Sequence, residues 1–196
     1  LLARDGLLKR KDYAFVDWGG DETHVDYGTL YERRFPVLRK AYENFLKGRP
    51  VPGNETPYPD DWYRFQFMAA DWLPDYCLYM AIKEENGMAD WQQWPRALRR
   101  RDPETLAQFR AEHAKEIEFW AFLQYEFDRQ WRALHEYAAS KGVSIMGDIP
   151  IYVAPDSADA WAGTELFETD EEGRPRRVAG CPPDYFAEDG QLWGNP

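Results

Sequence analysis

The stretch GVSIMGDIPIYVAPDSADAW, Gly142 to Trp161, decides how the rest of the chain is read. Within it Val143–Ile149 is a short run bounded by Gly142 and Pro150 and largely apolar on both faces until Asp148. A strand buried on both sides of a parallel sheet has this pattern, because helices cover both of its faces. SADAW, Ser157 to Trp161, then reads as a short capped helix. Upstream of Gly142 the pattern is helical, so the order is long helix, tight glycine turn, buried strand. That is one unit of an α/β protein.

The long helical stretch begins at Asp102-Pro103, an N-cap followed by proline at the first helical position, and ends at Lys141-Gly142. Leu106, Phe109, His113, Ile117, Trp120, Phe127, Trp131, Leu134 and Ala138 recur between them at helical spacing, which predicts one core-facing stripe. Unbroken, this helix would be about 57 Å long at about 1.5 Å per residue. It therefore either packs across a whole domain or breaks once. His113 and His135 lie inside the pattern and read as structural histidines.

Before it, DWYRFQFMAADWLPDYCLYMAIKEENG reads as two apolar-rich helices, broken near Leu73-Pro74, closed at Asn86-Gly87 and largely buried. The Pro/Gly/Asn-rich connector Gly48 to Asp61 separates them from a further helix over about Thr29 to Leu46, in which Pro36 marks a kink or a late start. Residues 1–28 read as mostly loop with one weak helix. The first residue is Leu1 and the last stretch stops in a turn-rich loop, so a piece of a longer chain is expected.

The formal net charge of -11 argues against a nucleic-acid groove or an anionic membrane surface as partner. No apolar run approaches the roughly 18 residues of a spanning helix, and a cytoplasmic protein is expected. Cys77 and Cys181 stand far apart with no Cys/His cluster near either, so neither a disulfide framework nor a metal site is expected.

Two places carry candidate chemistry. Asp148 sits at the end of the predicted strand, where α/β folds build their sites. A carboxylate there must face a polar cleft, or else cap the following loop by accepting from its backbone amides. The tail GCPPDYFAEDGQLWGNP, Gly180 to Pro196, has neither strand nor helix period, yet carries Tyr185, Phe186 and Trp193 among Asp, Gln and Asn. Flat rings interleaved with polar groups suit a sugar; the alternative is a proline-stiffened loop whose rings tuck against the core.

The wording SIMGDIPIYVAPDSADAW, then ELF, VAGCPPDYF and GQLWGNP, resembles the 4-α-glucanotransferases, also called amylomaltases or disproportionating enzymes, of glycoside hydrolase family 77. WLPDYCLYMAIKE, WPRALRRRDPETL and FLQYEFDRQWRAL look like the helical part of the same family, so the resemblance covers at least Tyr58 to Pro196. It implies a TIM (β/α)8 barrel, of which residues 1–142 would be helical insertions and residues 143–196 an early barrel strand and a substrate-covering loop. It implies transfer of α-1,4-glucan segments between maltooligosaccharides, without metal or organic cofactor. The family's catalytic carboxylates lie beyond the GNP motif, so no catalytic residue is expected in this chain.

By the same resemblance, Asp148 bonds sugar hydroxyls beside the cleavage point. Asp184, Tyr185 and Phe186 belong to the loop over the cleft, and Gln191, Trp193 and Asn195 lie near the acceptor side. Cys181 departs from a more usual aliphatic residue, and Ala187 to Asp189 from a more polar stretch. Open barrel edges would favour self-association of the chain alone. Two rival readings are a non-catalytic sugar-binding module and a helical scaffold; the first conflicts with the dominance of helices, and the second leaves GDIPIYV and the tail unexplained.

Overall fold

The computed structural model describes residues 1–21, 23–48 and 59–196, so most of the Gly48 to Asp61 connector lies outside the described residues. The described chain is mostly helical, in the order α1 Tyr27–Lys47, α2 Asp60–Met68, α3 Leu73–Glu85, α4 Arg96–Arg99, α5 Pro103–Glu112, α6 Ala114–Ser140 and α7 Ala158–Ala162, followed by the strands β1 Gly180–Cys181 and β2 Gln191–Leu192. It divides into two compact units, residues 1–69 with 122–142 and residues 70–121 with 143–196, and the boundary falls inside α6.

In the first unit, Asp26 caps α1 by accepting from the Thr29 amide, and the helix runs from Tyr27 straight past Pro36. The late start is thereby excluded. Asn44 donates to the Leu7 carbonyl at 2.8 Å, which ties the loop-like N-terminal region to α1. The core of this unit is aromatic: Phe45 lies 4.9 Å from Phe122 and 5.4 Å from Trp62 between ring centres, and Trp62 meets Tyr125 edge-on at 5.3 Å. Such pairs contribute about 0.5–1.5 kcal/mol each beyond burial. The buried Glu126 is compensated by Arg129, which also donates to Asp5.

The predicted stripe from Asp102 to Lys141 breaks once. Asp102 accepts from the amide of Thr105 and Pro103 opens α5; at His113 the backbone leaves the helix, and α6 starts at the next residue. His113 stacks on Phe109 with ring centres 4.1 Å apart, which bears out its structural reading. The stripe itself needs correction beyond Trp120, because Phe127, Trp131 and Leu134 are exposed. At about 100° per residue these positions lie on the far side of α6 from Phe122, Tyr125 and Glu126, which are buried. Spacing reports that a face is apolar, not that anything covers it.

In the second unit, α3 starts at Leu73-Pro74 and closes at Asn86-Gly87 as expected, with Leu73, Cys77, Leu78, Tyr79, Ala81 and Ile82 buried. Among α2 and its neighbours, Phe67, Met68 and Trp72 are exposed, so the burial expected of both helices holds for α3 and only in part for α2. Tyr79, Trp94 and Trp161 form a triangle of rings 5.2 to 5.8 Å apart. Ser157 caps α7 as the sequence predicts, and Trp161 of α7 donates its indole N–H to the Leu98 carbonyl at 3.0 Å. Each buried Trp in this body therefore has a partner for its one polar atom.

Val143–Ile149 is not a strand among the described residues: it carries no ladder, and Met146 is 95% exposed. A parallel strand exists only through neighbours that accept and donate on both edges, and no described segment pairs with this one. The tail also departs from its reading as wholly irregular. Gly180–Cys181 and Gln191–Leu192 pair antiparallel, with Cys181 opposite Gln191.

Candidate functional site

The candidate residues sit on two exposed pieces of the second unit, the segment 143–153 and the tail hairpin. Asp148 is exposed, and its Oδ1 accepts from the Ile149 amide at 2.8 Å, the local capping arrangement. In the hairpin, Asp184 Oδ1 accepts from the amides of both Phe186 and Ala187 at 2.8 Å. This Asp-built turn, closed by Asp184 N–H to the Ala187 carbonyl at 3.0 Å, holds out the Tyr185 and Phe186 rings, which are 94% and 90% exposed. Asp184 is thus spent largely on shaping the tip.

Glycine lets the hairpin close. Gly190 has φ +72°, and a Cβ there would lie 2.6 Å from the Cys181 carbonyl oxygen. Beyond it, Gln191 Oε1 accepts from the Trp193 indole N–H at 2.8 Å, and the Trp193 ring lies 5.6 Å from that of Tyr152. Asn195 donates Nδ2–H to the Val153 carbonyl at 2.6 Å, while its own carbonyl accepts from the Ala179 amide at 2.7 Å. The structure thus brings Gln191, Trp193 and Asn195 together on the base of the hairpin, beside 152–153. Tyr185 and Phe186 stand at its tip, and Asp148 lies on the other piece.

Sequence reading missed how these pieces are held. Asp156 accepts from the Tyr79 hydroxyl at 2.5 Å, from the Lys83 ammonium and from the Trp91 amide at 3.3 Å. The neighbouring Pro155 carbonyl accepts from the Trp91 indole at 2.7 Å. Partial burial works against the Asp156 charge, but the Lys83 and Tyr79 contacts outweigh it and hold the carboxyl below its usual range. Burial, and then the Asp156 charge, push the Tyr79 hydroxyl far up, so it stays a donor. The signal was available: a lysine one turn after a buried tyrosine on an apolar helix needs a counter-ion.

A separate cleft of about 300 Å3 lies between Arg99–Arg101 and the turn 164–173, and none of the seven sequence-predicted residues lines it. Among the described residues no group of His, Cys, Asp and Glu could hold a metal ion, and no helix is long and apolar enough to cross a membrane.

The family model described as 4-alpha-glucanotransferase, glycoside hydrolase family 77, matches residues 1–196. This chain belongs to that family. It is 43% identical over 195 residues to the 4-alpha-glucanotransferase of Thermus thermophilus and 37% identical over 197 residues to that of Clostridium butyricum. Both alignments cover 100% of this chain but only 37% and 39% of the relatives, so it spans somewhat over a third of their length. The solved amylomaltase from Streptococcus agalactiae in complex with acarbose matches with a TM-score of 0.90 at 41% identity, over 100% of this chain and 38% of that one. The mostly helical fold is therefore that of a part of an amylomaltase.

Proposed function

We propose that this chain is part of a 4-α-glucanotransferase that passes α-1,4-glucan segments between maltooligosaccharides, and that it supplies sugar contacts rather than the bond-breaking groups. The observation that carries this reading is the hairpin: two exposed rings on a turn held by Asp184, above a base where Gln191, Trp193 and Asn195 stand side by side. Pyranose faces are apolar and pack on rings, while their hydroxyls need paired donors and acceptors. A bound acarbose in the related amylomaltase supports an α-glucan as the ligand class.

In this reading Asp148 bonds hydroxyls beside the cleavage point, Asp184, Tyr185 and Phe186 cover the cleft, and Gln191, Trp193 and Asn195 serve the acceptor side. Transfer must outrun hydrolysis, and a cover that excludes water while admitting a sugar hydroxyl shifts that ratio. Retention needs a nucleophilic carboxylate and an acid/base carboxylate about 5–5.5 Å apart. Both are assigned to the part of the family's length that this chain does not span, and no cofactor is required.

For the full-length enzyme the same proposal makes Val143–Ile149, which carries no ladder among the described residues, an early strand of a TIM barrel, with residues 1–142 helical insertions and residues 143–196 the strand with its covering loop. Support comes from the exposed apolar side chains of Met146, Ile149 and Ile151, and separately from those of Phe127, Trp131 and Leu134, since exposed apolar patches of this kind mark surfaces that other chain covers. Alone, the chain would self-associate through them, which size-exclusion chromatography over a concentration series would read. The enzyme would act in the cytoplasm, where the two free thiols persist.

The test uses maltotriose. The full-length enzyme is expected to release glucose and build longer glucans, and the purified 196-residue chain to release none; turnover by the chain alone would overturn the assignment of the carboxylates elsewhere. In the full-length enzyme Asp184→Ala and Trp193→Ala should each lower transfer far more than they lower the melting temperature. Unchanged transfer in both would remove the hairpin from the site.

A further inference from the structure

Five residues, 152 to 156, have no regular secondary structure and yet are gripped from two sides. On one side the grip is the body of the unit: Tyr79 and Lys83 of α3 and the backbone of buried Trp91 all donate to the one carboxylate of Asp156, and the Trp91 indole donates to Pro155. On the other side are the hairpin residues, with Asn195 on the Val153 carbonyl and Trp193 against Tyr152. We propose that Asp156, with Lys83 and Tyr79, is a positioning group for the glucan-contacting residues Trp193 and Asn195, acting through the segment 152–156. The inference rests on the reading of the hairpin given above and deepens it, since no sugar contact is assigned to Asp156 itself.

The physical case lies in what else fixes the hairpin base. Among the described residues its two-residue strands pair only with each other, and a lone hairpin of that size is marginal in water. Among the same residues it is tied to the rest of the unit by the Asn195 hydrogen bond to the Val153 carbonyl and by the Trp193 ring against Tyr152, and these contacts have a fixed position only if 152–156 has one. The α7 side of the segment is anchored by the Ser157 cap and by Trp161 in the core. The Asp156 carboxylate does the same work where the chain leaves the core. Charge makes the anchor strong, because hydrogen bonds to an ionised group are roughly twice as strong as neutral ones. Lys83 is well shielded, with only 12% of its side chain exposed, so removing Asp156 leaves its ammonium with the Ala89 carbonyl but without a counter-ion rather than freeing it to water.

An orientation device of this kind has a distinct signature. Loss of the anchor leaves the helices in place and lets the hairpin base wander, so sugar contacts loosen while the folded fraction stays high. Amide hydrogen exchange on the 196-residue chain reads this without any activity. In Asp156→Asn the amides of Ala179 and Trp193, which bond Asn195 and Ala179, are expected to exchange about tenfold faster, with the amides of α5 unchanged. Lys83→Met should show the same pattern, and Lys83→Arg should restore slow exchange because it keeps a cation at the carboxylate.

In the full-length enzyme the same Asp156→Asn change is expected to raise KM for maltotriose about tenfold with a smaller change in kcat, and Lys83→Arg to preserve both. Equal acceleration over hairpin and helices, or none in the hairpin, would overturn the positioning role. If hairpin exchange rises as expected but wild-type enzyme shows no glucan transfer, the anchor stands and the functional reading of the hairpin falls.

Discussion

The second unit contains two stretches of similar apolar content and opposite fate. In the body, Tyr79, Trp94 and Trp161 close on one another and every buried indole N–H finds a carbonyl or carboxylate. In the segment 143–151, Val143, Met146, Ile149 and Ile151 face water and, among the described residues, the backbone joins no sheet. The difference is not composition but the source of partners. The body's partners lie within the unit, whereas a parallel strand depends on neighbours on both edges. Helical packing and a hairpin can be completed locally; parallel-sheet pairing cannot.

Cysteine chemistry gives the sharpest contrast between the closed body and the chain outside it, here the tail hairpin. Burial pushes the Cys77 thiol up to about 12, while Cys181 lies half-exposed in β1. At pH 8 alkylation of Cys77 in the folded chain should be on the order of a thousandfold slower than that of an ordinary exposed thiol, with Cys181 modified first. Mass spectrometry of the labelled peptides reads this, and equal labelling would mean that the body is not closed.

Next in size is the cost of truncating a ring. Trp161→Ala should lower stability by about 3–5 kcal/mol in urea titrations, because it removes a fully buried side chain and its indole hydrogen bond. Tyr185→Ala, at the exposed tip, should stay within about 0.5 kcal/mol.

The Asp156 anchor then adds a pH signature. Its folded carboxyl titrates below the unfolded one, so its contribution is present above about pH 4 and lost as pH falls through the depressed value. The melting-temperature gap between wild type and Asp156→Asn should therefore be full at pH 6 and close on acidification. A gap that widened on acidification would reverse the sign assigned to this ion pair. The local cap gives a modest effect of its own: Asp102→Ala should lower the melting temperature by less than Trp161→Ala does, read by thermal melting, because it removes the acceptor for the Thr105 amide and hydroxyl.

The sequence announced what depends on near neighbours. Asp102-Pro103, Ser157 and Asn86-Gly87 each bound a helix where expected, since a cap is satisfied within a few residues. The break at His113 was open in the sequence, because an apolar spacing of three or four continues across a single non-helical residue. Lys83 signalled that a counter-ion was needed, but not that Asp156 would be the one. Its partners Tyr79 and Lys83 are 77 and 73 residues away, and no local pattern records a pairing at that range. At the hairpin the wording of the motif singled out Asp184, Trp193 and Asn195 as candidates, but did not show that Asp184 shapes the turn while Asn195 ties down the base.

Gly173 gives the anchored segment a tolerance. Its φ is +80°, and a Cβ built on it would stand 3.0 Å from the outer edge of the Trp91 ring, the same indole whose N–H grips Pro155. A single methyl group at Gly173 would thus press on the Trp91 ring, and through it on the grip that Asn195 and Trp193 rely on. A turn that touches none of the candidate sugar contacts thereby acts as a gauge for their placement, reading in tenths of an ångström.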